Sequence, residues 1–372
     1  MADLFFYGTL CHLPLLERVL GRCSDQIDMT KAVLADYASY WVKDRNFPMI
    51  QEEADAQAAG LFVRGLSEAD VAALNFYEGG FHYELKPVSV RLPDGSIAAA
   101  EVYFPDPGLW TPGAKWDLSQ WASATGDLVT EAATEVMAHH GQLDVQYVAQ
   151  NTYPIMVRAA SRLAHRARPP ASDRDLSQDV IVHRHERAHL SFFSTEVMDL
   201  QFRRYDGTMS EVLNRTALMV GEAAVVLPYD PVRDEVLLIQ QFRAPAFMAG
   251  EQDPWIWEPV AGLVDAGETP ETTAQREAME EAGVEVRHLE PVASSYPSTG
   301  NSGEFIHIFI GLSDLSHVTG GGGLASEHED IRSEVISFDT LMHRIDTQVY
   351  NDMPLVTAAL WLARHRDRLQ KT

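Results

Sequence analysis

At 372 residues the chain is too long for one ordinary core and implies two domains. Its 54 acidic against 29 basic residues give a formal net charge of -25, which repels phosphate backbones and anionic headgroups and argues against nucleic acid or membrane as partners. A small anionic ligand stays open wherever arginines or metal ions reverse the sign inside a pocket.

The stretch Met1 to Leu10 lacks the basic head and long apolar run of a secretory signal, and no apolar run is long enough to span a bilayer. Cys11 and Cys23 offer neither a disulfide framework nor a zinc ladder, so a cytoplasmic protein is expected. A short apolar strand ending at Phe6 leads into Tyr7-Gly8-Thr9-Leu10. Further on, Leu74 to Tyr83 sets Glu78 beside two glycines. Trp116 to His139 and Pro154 to His165 read as helices. A seam at about 165–178, with Pro169-Pro170 among small and polar residues, divides the chain into domains 1–170 and 178–372.

Beyond the seam, His185-Glu186-Arg187-Ala188-His189 has the spacing of a zinc-protease helix, on which the two histidines share a face. It follows a linker, leads into a strand and has no evident third ligand, so a polar surface stretch is expected instead. Apolar, branched runs at Ala223 to Pro228 and Val236 to Ile239 give a strand, turn and strand. Phe305 to Ile310 reads as a buried strand, and Pro354 to Leu369 as a final helix. Gly320 to Gly323 are costly to hold still and mark a mobile loop; no Gly-Lys-Ser/Thr follows, so it is no phosphate-cradling loop.

Gly262 to Val284 carries the chemistry. Thr269 can cap a helix starting at Pro270, and Gly283 suits the left-handed position that ends it. On that helix Glu277, Glu280 and Glu281 lie three and four apart, and Glu268 approaches from the preceding loop. Like charges so spaced repel, by roughly 0.2–0.5 kcal/mol per pair, and a hard divalent cation offsets this. Oxygen-only ligands favour Mg2+, or Mn2+, over zinc. Arg276, one turn before Glu280, can hold that carboxylate in place. A charge run is ordinarily a solvated helix face. Here Ala274, Ala278 and Ala282 supply a small apolar stripe for close packing on a sheet.

The segment resembles the Nudix box in every specified slot. By that resemblance Glu277 and Glu281 are the principal metal ligands, Glu280 assists and the Ala261 carbonyl completes the shell. From Ser191 to Leu369 the chain is further similar to bacterial ADP-ribose pyrophosphatases, through Phe192-Phe193-Ser194, Gln241-Phe242-Arg243, Pro254-Trp255 and Gly323 to Arg332. This implies a homodimer with exchanged strands, Phe192 stacked on adenine with Arg215 beside it, and Arg243 on phosphate or terminal ribose. It also implies Glu304 on that ribose and Glu327 as the base on the closing loop, with Glu329 in reserve. Pro297 lies closer to the box than in that subfamily, which keeps related ADP-sugars in play. A non-catalytic sensor of ADP-ribose or NAD fragments is the competing class, although a pure binder has no need of the full glutamate set.

Phe6 to Leu10 and Leu74 to Tyr83 resemble the two signatures of the γ-glutamyl cyclotransferase-like fold over about residues 3–110. The resemblance implies that the backbone of Tyr7, Gly8, Thr9 and Leu10 binds a γ-glutamyl group and that Glu78 shuttles the proton. The pairing of these domains looks like proteins associated with bacterial tellurite resistance. The expected architecture is α/β (α+β): a small cyclotransferase-like β-barrel with appended helices, then a Nudix α/β/α sandwich hydrolysing ADP-ribose.

Overall fold

Alternation along the first strand sets the amino-terminal architecture: Leu4 and Phe6 face one apolar cluster, Phe5 and Tyr7 another. The computed structural model describes residues 1–79, 83–318 and 330–371. It divides into two compact units, Met1–Ala159 with Leu163–Asn214, and Ala160–Arg162 with Arg215–Thr372. Apart from Ala160–Arg162 the chain passes from the first to the second after Asn214, and the proline-rich stretch lies within the first.

In the first unit the strands are β1 (Ala2–Phe6), β2 (Met29–Val42), β3 (Pro48–Leu66), β4 (Tyr83–Arg91), β5 (Ile97–Pro105) and β6 (Pro112–Lys115). They run in the order β3-β1-β5-β4-β2, and β2 pairs back to β3, so five strands close a barrel with β6 hanging from β2. Closure leaves no long unpaired edge among these five. Its interior is filled by Phe5, Tyr7, Leu34, Phe62, Val90 and Val102.

Helices α1 (Leu13–Leu20) and α2 (Glu68–Gly79) cover the other face, with Leu15, Leu16 and Leu74 packed on Leu4 and Phe6. The helix expected from Trp116 to His139 starts late, because the Asp117 side chain caps the Ser119 and Gln120 N–H groups. It forms α3 (Leu118–Trp121), a widened turn at Ala122–Gly126, and α4 (Asp127–Ala138). At the widened turn a Cβ on Gly126 would lie 3.1 Å from His12 Nε2.

Three more helices follow: α5 (Val145–Gln150), α6 (Thr152–Ala167) and α7 (Leu176–Asp179). Then β7 (Val180–Leu190) and β8 (Ser194–Phe202) pair antiparallel. The His185-to-His189 segment is thus strand, not helix, and His185 Nε2 lies 2.5 Å from Glu196 Oε2 on the neighbouring strand. On α4 and α6, buried Glu135 and Arg158 form an ion pair at 2.7 Å, and Arg158 Nη1 donates to the Phe192 carbonyl at 2.9 Å.

The second unit begins within β9 (Leu213–Met219). Its sheet runs β12-β11-β10-β15-β14, where β10 is Glu222–Asp230, β11 Glu235–Phe242, β12 Trp255–Glu258, β14 His288–Ser295 and β15 Phe305–Leu312. Two further strands join it: β13 (Val260–Leu263) on β10 and β16 (Arg332–Ser337) on β11. Every residue of β10 is buried, and its side chains alternate between two cores. Val225 and Leu227 meet α10 (Phe338–Asp346) and α11 (Met353–Leu369) through Leu341 and Leu362. Ala224 and Val226 meet α9 (Pro270–Ala282) on the opposite face. The result is the expected α/β/α sandwich; a short helix, α8 (Ala244–Met248), follows β11. No helix among the described residues is long and apolar enough to cross a membrane.

Candidate active sites

Local signals fix α9 at both ends. Thr269 Oγ1 accepts the Thr272 N–H at 3.2 Å, Pro270 opens the first turn, and Gly283 closes the last at φ 64°. Ala274, Ala278 and Ala282 are buried on the sheet and set the roll of the helix. That roll brings Arg276 between three carboxylates. Its guanidinium lies 3.1 Å from Glu268, 2.8 Å from Glu277 and 2.8 Å from Glu280. The cation holds Glu268 below the usual carboxylate range, chiefly through this hydrogen bonding.

Glu281 does not share that arrangement. It is 2% exposed, and its Oε2 accepts the Ala261 N–H at 3.1 Å, so the helix is tied to β13 through a buried carboxylate. One residue on, a Cβ at Gly262 would lie 1.8 Å from Glu277 Oε1. The box glycine is required because the Glu277 carboxylate occupies the place a side chain would take.

Among the described residues no group of three ligating side chains forms a ready-made metal cage. In the kind of donor they supply, however, the glutamates fit a hard divalent cation: oxygen ligands only, gathered along one helix over a bare glycine. The guanidinium meanwhile offsets the repulsion among Glu268, Glu277 and Glu280.

A second polar group of the same unit centres on Arg243, directly after β11. Its Nε donates to Glu258 Oε1 at 2.8 Å. Burial raises the Glu258 carboxyl, with Arg243 opposing. Burial likewise raises Glu304, again against Arg243. Asp352, the cap of α11, is raised by burial and restrained by the Leu355 N–H and by Arg243. Sequence reasoning singled out Arg243 and Glu304 but missed Glu258 and Asp352. For Glu258 a signal was present, since an acid ends an otherwise apolar strand that enters the box. Asp352 looked like an ordinary helix cap.

Arg215 is exposed on β9. Phe192, in the first unit, sits 52% exposed on the β7–β8 turn and meets Phe193 edge-on at 5.0 Å between ring centres. Glu327 and Glu329, with the glycine tract, lie outside the described residues.

The first unit holds a cavity of about 540 Å³. Tyr7, Gly8, Thr9 and Leu10 line it, as does Glu78 from the end of α2. A Cβ on Gly8 would come within 2.6 Å of Pro48, so the loop passes close to the start of β3. Glu78 is half-buried and its open side faces the cavity. Burial pushes its carboxyl up to about 7. Its charge reaches Tyr7, Tyr77, Tyr83 and Tyr103, all of which are held above the usual phenol range, mainly by burial. The two signatures, some seventy residues apart in sequence, thus meet at one cavity wall.

Residues 219–354 match the family model described as NUDIX domain, and residues 4–122 the one described as gamma-glutamyl cyclotransferase, AIG2-like. The chain belongs to the Nudix family and carries this second, cyclotransferase-like domain ahead of its Nudix domain. It is 38% identical over 192 residues to the ADP-ribose pyrophosphatase of Escherichia coli (strain K12), a match covering 52% of this chain and 91% of that one. To the ADP-ribose pyrophosphatase of Haemophilus influenzae it is 32% identical over 197 residues, with the same coverages. A GDP-mannose pyrophosphatase of Cronobacter sakazakii is 36% identical over 137 residues, or 37% of this chain and 70% of that protein.

Proposed function

We propose that the second unit hydrolyses the diphosphate bond of ADP-ribose to AMP and ribose 5-phosphate in the cytoplasm, with magnesium or manganese as cofactor. The observation that carries this reading is the glutamate set of α9, ordered by Arg276 and tied to β13 through Glu281 and Ala261. The similarity to ADP-ribose pyrophosphatases over nearly their whole length supports the substrate.

Glu277, Glu280, Glu281 and the Ala261 carbonyl would hold the ion. When bound, it supplies positive charge to the diphosphate and acidity to a coordinated water. Arg276 keeps Glu277 and Glu280 aligned. Arg243, held by Glu258, binds phosphate or the terminal ribose, and Glu304 accepts from that ribose. Phe192 stacks on adenine with Arg215 beside it, one or both contributed by the partner subunit of a homodimer. Glu327, or failing it Glu329, takes the proton from the attacking water.

Incubation with ADP-ribose and Mg2+ tests the reading, using Glu281→Gln and Glu327→Gln as controls. AMP and ribose 5-phosphate should appear, and both controls should be slow. Survival of ADP-ribose under these conditions refutes the substrate, and unchanged turnover by Glu281→Gln refutes the ligand assignment.

Glu78 favours a second activity in the first unit, since a carboxyl poised near neutrality over a cavity suits proton transfer. On this reading the α-amine of a γ-glutamyl amide attacks its own γ-carbonyl, and the bond to the departing amine breaks. Glu78 takes the proton from the attacking nitrogen and delivers it to the leaving one. The products are 5-oxoproline and a free amine.

A further inference from the structure

The cavity of the first unit is not closed by the barrel alone. The cyclotransferase-like match ends at residue 122, yet one side of the cavity is built from helices beyond it. Ala132 and Val136 come from α4, Val145 and Val148 from α5, and Ile155 and Met156 from α6. These helices share a core containing Ala132, Val148 and Ile155, with Val136 and Met156 packed on it. No charged side chain from residues 122–156 lines the cavity; among the described residues its charged lining residues are Glu78 and Arg45. Phe47 and Trp110 extend the apolar character, meeting edge-on at 5.2 Å.

This helical wall begins beside Glu78. A Cβ on Gly79, the next residue, would touch Val145 at 3.5 Å, and Gln146 Nε2 lies 3.4 Å from the Gly79 carbonyl. Whatever is attached to a group held against Glu78 is therefore met on one side by α4, α5 and α6. A charged attachment would lose its water there and find the Thr152 hydroxyl but no opposite charge on that wall. An apolar one would displace poorly held water and gain contact.

We propose that the cavity takes γ-glutamyl amides whose amine part is a bulky, uncharged aliphatic or aromatic group, the helical extension acting as the specificity wall. This rests on Glu78 marking the γ-glutamyl end of the cavity. The polar loop Tyr7 to Thr9 and Glu78 receive the head, and Val136, Val145 and Met156 clasp the tail.

Two probes separate the specificity from the chemistry: γ-L-glutamyl benzylamide and γ-L-glutamylglycine, which end in an apolar ring and a carboxylate. Calorimetric binding to the full-length chain carrying Glu78→Gln should favour the benzylamide by at least about tenfold. Val136→Asn, half-buried on the wall, should erase most of that preference while near-ultraviolet circular dichroism stays unchanged. If Val136→Asn misfolds, Met156→Gln serves the same purpose.

Equal or tighter binding of the glycine compound overturns the proposal, as does failure of both to bind. Release of 5-oxoproline by the unmodified chain is scored separately. A tenfold preference without 5-oxoproline from either probe upholds the specificity wall and removes the cyclotransferase chemistry. Equal binding with release from both upholds the chemistry and removes the wall.

Discussion

Glu277 Oε1 occupies the space that a side chain at residue 262 would need, 1.8 Å from the position of a Cβ built on Gly262. The two residues lie on α9 and β13, so the packing of helix on sheet and the aim of a site carboxylate are one and the same contact. Gly262→Ala should therefore displace the Glu277 carboxylate by about the width of a methyl group. A shift of that size costs on the order of 100-fold in turnover when a positioned group is moved. Far-ultraviolet circular dichroism should show the fold retained, and a variant within twofold of the unmodified rate would show that the Glu277 position is irrelevant.

Glu258 holds the Arg243 guanidinium at 2.8 Å, leaving the rest of its planar fork for the substrate in the proposed mode. Arg243→Lys keeps the charge and loses the planar pair of donors. The Michaelis constant for ADP-ribose should rise about tenfold while kcat changes much less, the signature of lost ground-state binding. An equal fall in kcat with KM unchanged would place Arg243 on the reacting phosphates alone.

Much of this was legible in the chain because the informative signals are local. A capping threonine, a proline after it and a glycine in the left-handed region specify α9, and all three take the expected form. The alanine stripe likewise packs as its spacing implies. Glu281 was less legible. Spacing of three and four puts it beside Glu277 and Glu280, yet its burial and its bond to Ala261 arise from the roll of the helix on β13. At the interruption, Ala122–Gly126, His12 approaches closely from a distant segment, which no window of sequence reveals. For the same reason the helical extension read as an appendage, although its apolar side chains complete a cavity.

Glu78 gives the first unit a pH dependence. Burial raises its carboxyl from 4.5 to about 7, so the folded chain prefers it protonated. A raised acid contributes stability that is complete below about pH 4.5 and is lost as pH climbs through about 7. By pH 8 the loss should be roughly 3 kcal/mol, an upper value because the group borders a cavity that admits water. Glu78→Gln carries no charge to desolvate and should flatten the decline. Parallel pH profiles for the two proteins in thermal unfolding of the first unit would show that Glu78 titrates near its ordinary value.

The buried pair of Glu135 and Arg158 sets a different kind of demand, since neither is more than 2% exposed. Glu135→Ala leaves a guanidinium buried with its main counter-charge gone, and should cost about 3–5 kcal/mol. Replacing both, as Glu135→Leu with Arg158→Met, removes the desolvation penalty together with the attraction and should recover much of that loss. Arg158 also donates to the Phe192 carbonyl at 2.9 Å, so the pair holds the turn that presents the proposed adenine platform. The double variant, though stable, should therefore show a raised KM for ADP-ribose, because Phe192 has lost its anchor. Chemical unfolding followed by steady-state kinetics separates the two effects. Full stability with unchanged KM would mean that the pair neither specifies the turn nor supports the platform.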